Sequence, residues 1–489
     1  MTTVERHTRL GAIKGQERLG VERFLGIRYA EPPERFRPPV ASGPWEGVHD
    51  GTEFASQAMQ VHFDDPVFGP FPPGGVSEDC LFLNVYTPSV AATAARPVLV
   101  WIHGGSFAGG SANLYDGTGL ARSADAVVVI INYRLGLFGQ ADVRELGDDY
   151  RTSCNVWFLD QLAALQWVHE NIADYGGDPG CVTVMGQSAG ATSAVALVAN
   201  PAAQGLMHRA IAFSPALLFT EDPQHVARIA EMTDTPVGDV PALLLELPAD
   251  DLLMLSMQMS PHPWVDGDVF ATAPHNAIRA LGPSALPLIS GMAPHEGEFL
   301  NAMNVPLDLH EQFTMLAGTM VPGSAAALPA YVERLTALEH PQDTLALLDA
   351  IWTDIFRRSS TWAAESTSAA GAGAWHYLID VPLVMAGKQL RSTHCADIPL
   401  TFNVFVDAEN PSGRDWLDVA DPALVDLAAR WVQMIATFAR TGTPGDSLGA
   451  WPSYDTQSRS TLHVAAQGRS VLDDIAAEHR LKVWADDTA

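Results

Sequence analysis

The chain has 489 residues, 47% of them hydrophobic and 17% charged, which is enough apolar material for a large core and too much for a disordered protein. Its 28 Lys and Arg stand against 57 Asp and Glu, and the net charge of −29 argues against nucleic-acid binding, which needs a basic footprint, and against docking on anionic lipid. The four cysteines, Cys80, Cys154, Cys181 and Cys395, form no CxxC pair, so no structural zinc site is expected, and so few in so long a chain fit a reducing compartment.

The first residues, MTTVERHTRLGAIKGQERLG, hold no apolar stretch of signal-peptide type, and no apolar run approaches the roughly 18–20 residues of a membrane helix. A soluble, cytoplasmic protein is expected. Pro88–Pro97 reads as a connecting loop, and Pro97–Ile102 is a continuous apolar run leading into His103-Gly104-Gly105. Ala126–Ile131 is a second such run. Leu159–Ile172 places Leu162, Leu165, Val168 and Ile172 on one stripe, a helical spacing, with Asp160 placed to favour its N-terminal end. Val182–Met185, Ala210–Phe213, Leu286–Ser290 and Trp375–Ile379 are further short apolar runs, and Ala189–Ala199 reads as a small-residue helix. Runs of this kind suit strands buried on both faces, and their alternation with helices predicts a doubly wound α/β fold with a mostly parallel sheet. The stretches 221–258 and 298–371 are helix-rich and read as helical lid insertions in a single domain over 1–489.

One local pattern carries chemistry. Gly186-Gln187-Ser188-Ala189-Gly190 is a GxSxG between an apolar run and a helix of small residues, the context of a nucleophile elbow. Glycines two residues either side of the serine leave room where a Cβ would clash. A serine hydroxyl is a weak nucleophile, so it needs a base, and the base an orienting acid. In this architecture the acid and then the histidine follow the serine along the chain. Glu296 falls just past the Leu286–Ser290 run, and His394 in a loop after Trp375–Ile379. On the residues alone, Glu296 can equally be a surface carboxylate, and His394 is one of sixteen histidines. His103-Gly104-Gly105-Ser106-Phe107 follows its strand as an oxyanion loop does, with small residues that let backbone N–H groups approach a carbonyl oxygen. No GxxxxGK[ST] occurs, which removes a phosphate-loop reading.

With these motifs the chain resembles the type-B carboxylesterase family, the cholinesterase and para-nitrobenzyl-esterase branch of the α/β-hydrolases. The resemblance runs in order along most of the chain. It takes in Phe24-Leu25-Gly26-Ile27-Arg28-Tyr29-Ala30, Ser77-Glu78-Asp79-Cys80-Leu81-Phe82-Leu83-Asn84-Val85, HGGSF, Leu159–Pro179, VTVMGQSAG, His208–Ser214, Pro263–Gly267 and the Glu296-Gly297 pair. It implies Ser188 as nucleophile, Glu296 as acid and His394 as general base. It implies the N–H groups of Gly105, Ser106 and Ala189 as oxyanion donors, and Ser214 with Asp397 as a support network. The implied activity is that of a serine carboxylic-ester hydrolase. It works through an acyl-enzyme on small to medium neutral esters, with no metal or organic cofactor and a small-molecule ester as its partner. A carbamate or amide hydrolase with the same triad is the alternative, and a catalytically inactive cholinesterase-like interaction protein a remote one.

Three departures stand out. Gln187 occupies the place where the family usually has Glu, which removes a negative charge and predicts weaker selection for cationic esters. Trp157 replaces a Gly, so the neighbouring pocket must differ. Cys80 sits in a motif that forms a disulfide in secreted members, with no upstream cysteine to pair with it. Met254, Met257 and Met259 with Trp264 are candidates for an adaptable apolar pocket or for lid packing.

Overall fold

The computed structural model describes residues 2–61, 70–88, 90, 95–219, 221, 224–259, 261–299, 303, 333, 335–337 and 344–477. Half of the expected loop Pro88–Pro97, and residues 300–302, 304–332, 334 and 338–343 of the 298–371 stretch, lie outside the described residues.

The centre of the protein is a large sheet. Its strands are β1 (Thr2–Thr8), β2 (Gly11–Arg18), β3 (Val21–Arg28), β4 (Val48–Asp50), β5 (Phe82–Thr87), β6 (Arg96–Ile102), β7 (Val127–Ile131), β8 (Gly177–Gln187), β9 (Arg209–Phe213), β10 (Leu288–Met292) and β11 (Ala374–Asp380). A separate hairpin of β12 (Leu383–Met385) and β13 (Lys388–Leu390) precedes the last two sheet strands, β14 (Thr461–Ala465) and β15 (Gly468–Leu472). The sheet order is β1-β2-β3-β5-β7-β6-β8-β9-β10-β11-β14-β15, with β4 beside β2. From β7 to β14 neighbouring strands are parallel. The run β1-β2-β3-β5-β7 is antiparallel, as is the β14–β15 pair.

The central strands show why their sequences read as unbroken apolar runs. Val98, Val100 and Ile102 enter one core cluster while Leu99 and Trp101 enter another on the opposite face. In β7, Val127, Val129 and Ile131 likewise face one cluster, and Val128 and Ile130 the other. Successive side chains alternate faces, and both faces are covered, so every position is apolar. Helices Val156–Asn171 and Ala189–Ala199 contribute to the first cluster, and Thr118–Ala124 and Pro422–Thr441 to the second. Helix Thr344–Ala369 joins β10 to β11 and packs on both.

The stretch after β9 holds the short helices His225–Thr233, Val240–Glu246 and Ala249–Ser256, which share a small apolar cluster with Phe36, Met59, Leu137 and Phe138. Met259 packs at the edge of that cluster, whereas Met254 and Met257 are 58% and 55% exposed, so neither lines an enclosed pocket. Asp160 also has a different role from the expected one. Its helix starts at Val156, which leaves it beyond the first turn. It is buried, and it accepts hydrogen bonds from Arg134 at Nη2 (2.6 Å), Nε (2.8 Å) and the backbone N–H (3.0 Å). The charge is held by a bidentate partner rather than by the helix end. All four cysteines are free thiols.

Candidate functional site

The candidate residues gather along the carboxyl ends of five adjacent strands, β6, β8, β9, β10 and β11, which is where ligands bind in open α/β sheets. Ser188 follows β8 directly and caps helix Ala189–Ala199. Its backbone has φ 60° and ψ −122°, a left-handed strain rare for a residue with a Cβ. The strain is held from both sides: the Ser188 N–H donates to the Phe213 carbonyl (2.9 Å), and its carbonyl accepts from Thr192 N–H (2.9 Å).

The two glycines of the motif allow the turn. A Cβ on Gly186 would stand 2.4 Å from the Gly190 backbone, and one on Gly190 would stand 2.0 Å from the Ile102 carbonyl oxygen. Ile102 ends β6, so the elbow helix is pressed against the strand that carries the HGG loop. In that loop Gly105, Ser106 and Phe107 all have positive φ, at 112°, 54° and 57°, and the chain curls sharply. Gly105 and Ser106 are exposed, and among the described residues the N–H groups of Gly105, Ser106 and Ala189 donate to no acceptor. Ala189 N–H is one of the free donors at the start of its helix. His103 is a structural member of the loop. Its ring is buried, stacks on Tyr133 with centroids 4.5 Å apart and contacts the Gly104 carbonyl through Nδ1 (2.8 Å); burial pushes its pKa down to about 4, so it stays neutral.

Glu296 is buried four residues past β10. One oxygen, Oε1, accepts from the Ser214 hydroxyl (2.6 Å) and the Ala293 N–H (2.7 Å). The other, Oε2, lies 2.5 Å from His394 Nδ1. Thr393 Oγ1 donates to the Glu296 carbonyl (3.1 Å), which ties the two loops together next to the imidazole. Phe356, on helix Thr344–Ala369, and Phe299 flank the ring with centroids 4.6 and 5.5 Å away.

Two parts of the arrangement differ from the pattern read in the sequence. Asp397 is not joined to Ser214. It accepts from the Tyr377 hydroxyl (2.8 Å), while its other oxygen is buried without a partner. Burial pushes Asp397 up to about 7; the Tyr377 hydroxyl opposes the rise and the Glu296 charge adds to it. Tyr377 escaped notice because its Trp375–Ile379 run reads simply as a buried strand; a Cβ on Gly291 of the neighbouring strand would meet its ring at 2.2 Å. The second difference lies at His394 Nε2. The group within hydrogen-bond distance is the side-chain amide nitrogen of Gln187, at 3.0 Å. Among the described residues the Ser188 hydroxyl has no hydrogen-bond partner.

Trp157 is fully buried, with its ring 4.8 Å from Phe107 and 6.3 Å from Phe270, and its Nε1 donating to Asn155 Oδ1 (3.1 Å). The space that a glycine would leave beside the HGG loop is filled by an indole.

An elbow serine at the head of a parallel sheet, a histidine paired with a buried carboxylate and a tight turn with outward N–H groups define an α/β-hydrolase. Residues 2–484 match the Carboxylesterase family, and the chain belongs to it; the protein is a carboxylic-ester hydrolase. The chain is 31% identical to the para-nitrobenzyl esterase of Bacillus subtilis (strain 168) over 98% of each chain. It is also 31% identical to the phenmedipham hydrolase of Pseudarthrobacter oxydans, again over 98% of each. The solved carboxylesterase of Geobacillus stearothermophilus superposes with a TM-score of 0.81 and 30% identity, over 98% of this chain and 99% of that one.

Proposed function

We propose that Ser188, His394 and Glu296 carry ester hydrolysis as nucleophile, general base and orienting acid, with the N–H groups of Gly105, Ser106 and Ala189 as oxyanion donors. The observation that carries this reading is the 2.5 Å contact of Glu296 with His394 Nδ1 at the head of the strand next but one to the elbow serine. The contact leaves Nε2 as the nitrogen that takes the serine proton. The Ser188 oxygen then bonds to the ester carbonyl carbon, and the carbonyl electrons move to the oxygen facing the three N–H groups. His394 returns the proton to the departing alkoxide, and a water molecule repeats the sequence to release the acid. The residues complete this proton cycle among themselves. Ser214 supports the acid through its hydrogen bond to Oε1; Asp397, which bonds to Tyr377, is left outside the proposed network. Phe299 and helix Thr344–Ala369, through Phe356, border the substrate's way in, a reading supported by their place beside the imidazole.

The substrates we infer are neutral small to medium esters, consistent with the para-nitrobenzyl esterase relative, and the compartment is the cytoplasm. Among the described residues no helix is long and apolar enough to cross a membrane. Carbamate hydrolysis is the second reading, favoured by the phenmedipham hydrolase relative. The test is Ser188→Ala assayed on a neutral aryl acetate and on acetylcholine. Wild type is expected to turn over the neutral ester with the higher kcat/KM, because Gln187 puts no charge beside the nucleophile. Ser188→Ala is expected to lose several orders of magnitude on both. More than a few per cent of activity in the folded variant refutes the assignment of the nucleophile.

A further inference from the structure

Among the described residues the lone pair on His394 Nε2 has one occupant, and it is not the serine. Gln187 is buried at the end of β8, with its amide nitrogen 3.0 Å from that nitrogen and its amide oxygen against Gly104, where a Cβ would come within 3.0 Å of it. Since Glu296 faces Nδ1, the tautomer that satisfies both ends carries its hydrogen on Nδ1 and accepts at Nε2. A hydrogen bond donated by the Gln187 amide fits that tautomer. A carboxylate at the same position cannot donate to it.

We propose that Gln187 is a positioning residue that caps His394: its amide donates to Nε2 and competes with Ser188 for the lone pair that must accept the serine proton. The proposal rests on the reading of Ser188 as nucleophile and His394 as base. In the resting protein the cap keeps the hydroxyl unactivated. When a substrate engages Ser188, the amide withdraws, Oγ–H transfers its proton to Nε2 and the Oγ–C bond forms. The imidazolium then presents an N–H at Nε2, and a half-turn of the amide offers it the carbonyl oxygen of the same side chain. One uncharged group thus serves both protonation states of the base.

The ionisable groups on the elements packed around the ring are few in kind. Glu296 touches Nδ1, and Asp397 lies three residues along the same loop as the histidine. Farther out, His295, Glu298, Asp349 and Arg391 pair with one another, and Asp354 pairs with Arg357 on helix Thr344–Ala369. Among the described residues none of these outer groups is hydrogen-bonded to Nε2, so of the groups named position 187 is the one in contact with that nitrogen.

The experiment measures the rate of Ser188 phosphonylation by a neutral fluorophosphonate across pH, with the adduct located by mass spectrometry, in wild type, Gln187→Met and Gln187→Glu. Methionine keeps the volume and removes the donor. Labelling at neutral pH is expected to be about three- to tenfold faster in Gln187→Met, the range carried by a single neutral hydrogen bond. In Gln187→Glu the carboxylate favours the imidazolium, so the acid limb is expected to move to higher pH, with the lost rate recovered as pH rises. A misfolded variant is slow at every pH, so the shifted limb separates capping from structural damage. A level or slower rate in Gln187→Met, or an unmoved acid limb in Gln187→Glu, overturns the cap. An adduct on a residue other than Ser188 overturns the reading on which it rests.

Discussion

The two nitrogens of His394 stand in contrasting surroundings. On the Nδ1 side, Glu296 receives the Ser214 hydroxyl, the Ala293 N–H and the imidazole, and Thr393 ties down its backbone. On the Nε2 side, among the described residues, a single amide approaches, on a side chain that turns about three bonds. A carboxylate with three donors has no low-energy place to go, so the acid is fixed before any substrate arrives. On the proposed mechanism Nε2 must exchange partners during the reaction, and a single adjustable contact suits that better than a network. The site is rigid where a proton stays and adjustable where a proton moves.

Three measurements break or sharpen this contrast. The largest effect is expected from Glu296→Gln. The amide keeps the shape but can present N–H to Nδ1, favouring the wrong tautomer, and cannot stabilise an imidazolium; kcat is expected to fall about 10³–10⁴-fold with KM little changed. A loss below tenfold shows that another group orients the base. An intermediate effect is expected from Ser214→Ala, which removes one charge-assisted hydrogen bond from Glu296 and leaves the other two. A bond to a charged group is worth about 1.5–3 kcal/mol, so kcat is expected to fall roughly ten- to a hundredfold. If kcat is untouched, the network is redundant rather than tightly determined.

The smallest effect on activity is expected from Asp397→Asn, within about threefold in kcat, because Asp397 reaches Tyr377 and not the imidazole. Its effect on stability depends on pH. The carboxyl stands near 7 in the folded protein and near 3.9 in an unfolded chain. Below about pH 4 both states hold the proton and nothing is lost. Between about 4 and 7 only the unfolded chain releases it, so wild-type stability declines as pH rises, by up to about 4 kcal/mol at and above pH 7. Asp397→Asn escapes that decline. Its Tm is expected to exceed that of wild type at pH 8 and to converge with it near pH 4, as calorimetry across pH can check. A constant difference between the two proteins contradicts the assigned cause.

What the sequence made legible follows from the range of the interactions involved. The parallel strands announce themselves because both faces are buried and each run is apolar throughout. β6, β7 and β9 lie within a residue or two of the runs Pro97–Ile102, Ala126–Ile131 and Ala210–Phe213. The elbow is legible because its glycines and serine are local. The antiparallel flank is not. β1 reads TTVERHT, exposed or half-exposed along its length, and its pairing with β2 is fixed by the turn and the register rather than by an apolar signal. Long-range polar pairs escape a reading of the chain in the same way. Arg134 and Asp160, Tyr377 and Asp397, and Gln187 and His394 are pairs that nothing in the local sequence joins. Only the fold brings them within 3 Å. Gln187 stood out in the sequence for the charge it lacks, while its amide contact with the base became visible only in three dimensions.

The closeness of Gly190 to the end of β6 bears on how such a site can diversify. With 2.0 Å between a would-be methyl and the Ile102 carbonyl, and 2.7 Å between one on Gly104 and the Gln187 carbonyl, these positions admit no side chain without moving the serine or the oxyanion loop. New substrate ranges therefore cannot be reached by tinkering with the glycines that hold the elbow and the loop together. They are better sought in side chains behind the loop, such as the buried Trp157, whose ring lies 4.8 Å from that of Phe107. Trimming that indole to a smaller apolar side chain opens volume next to Phe107 of the loop and leaves the glycine contacts of the elbow in place. A library confined to Trp157 and its ring neighbours should yield folded enzymes with altered acyl-chain ranges, where one of equal size spread over the glycines yields mostly inactive protein.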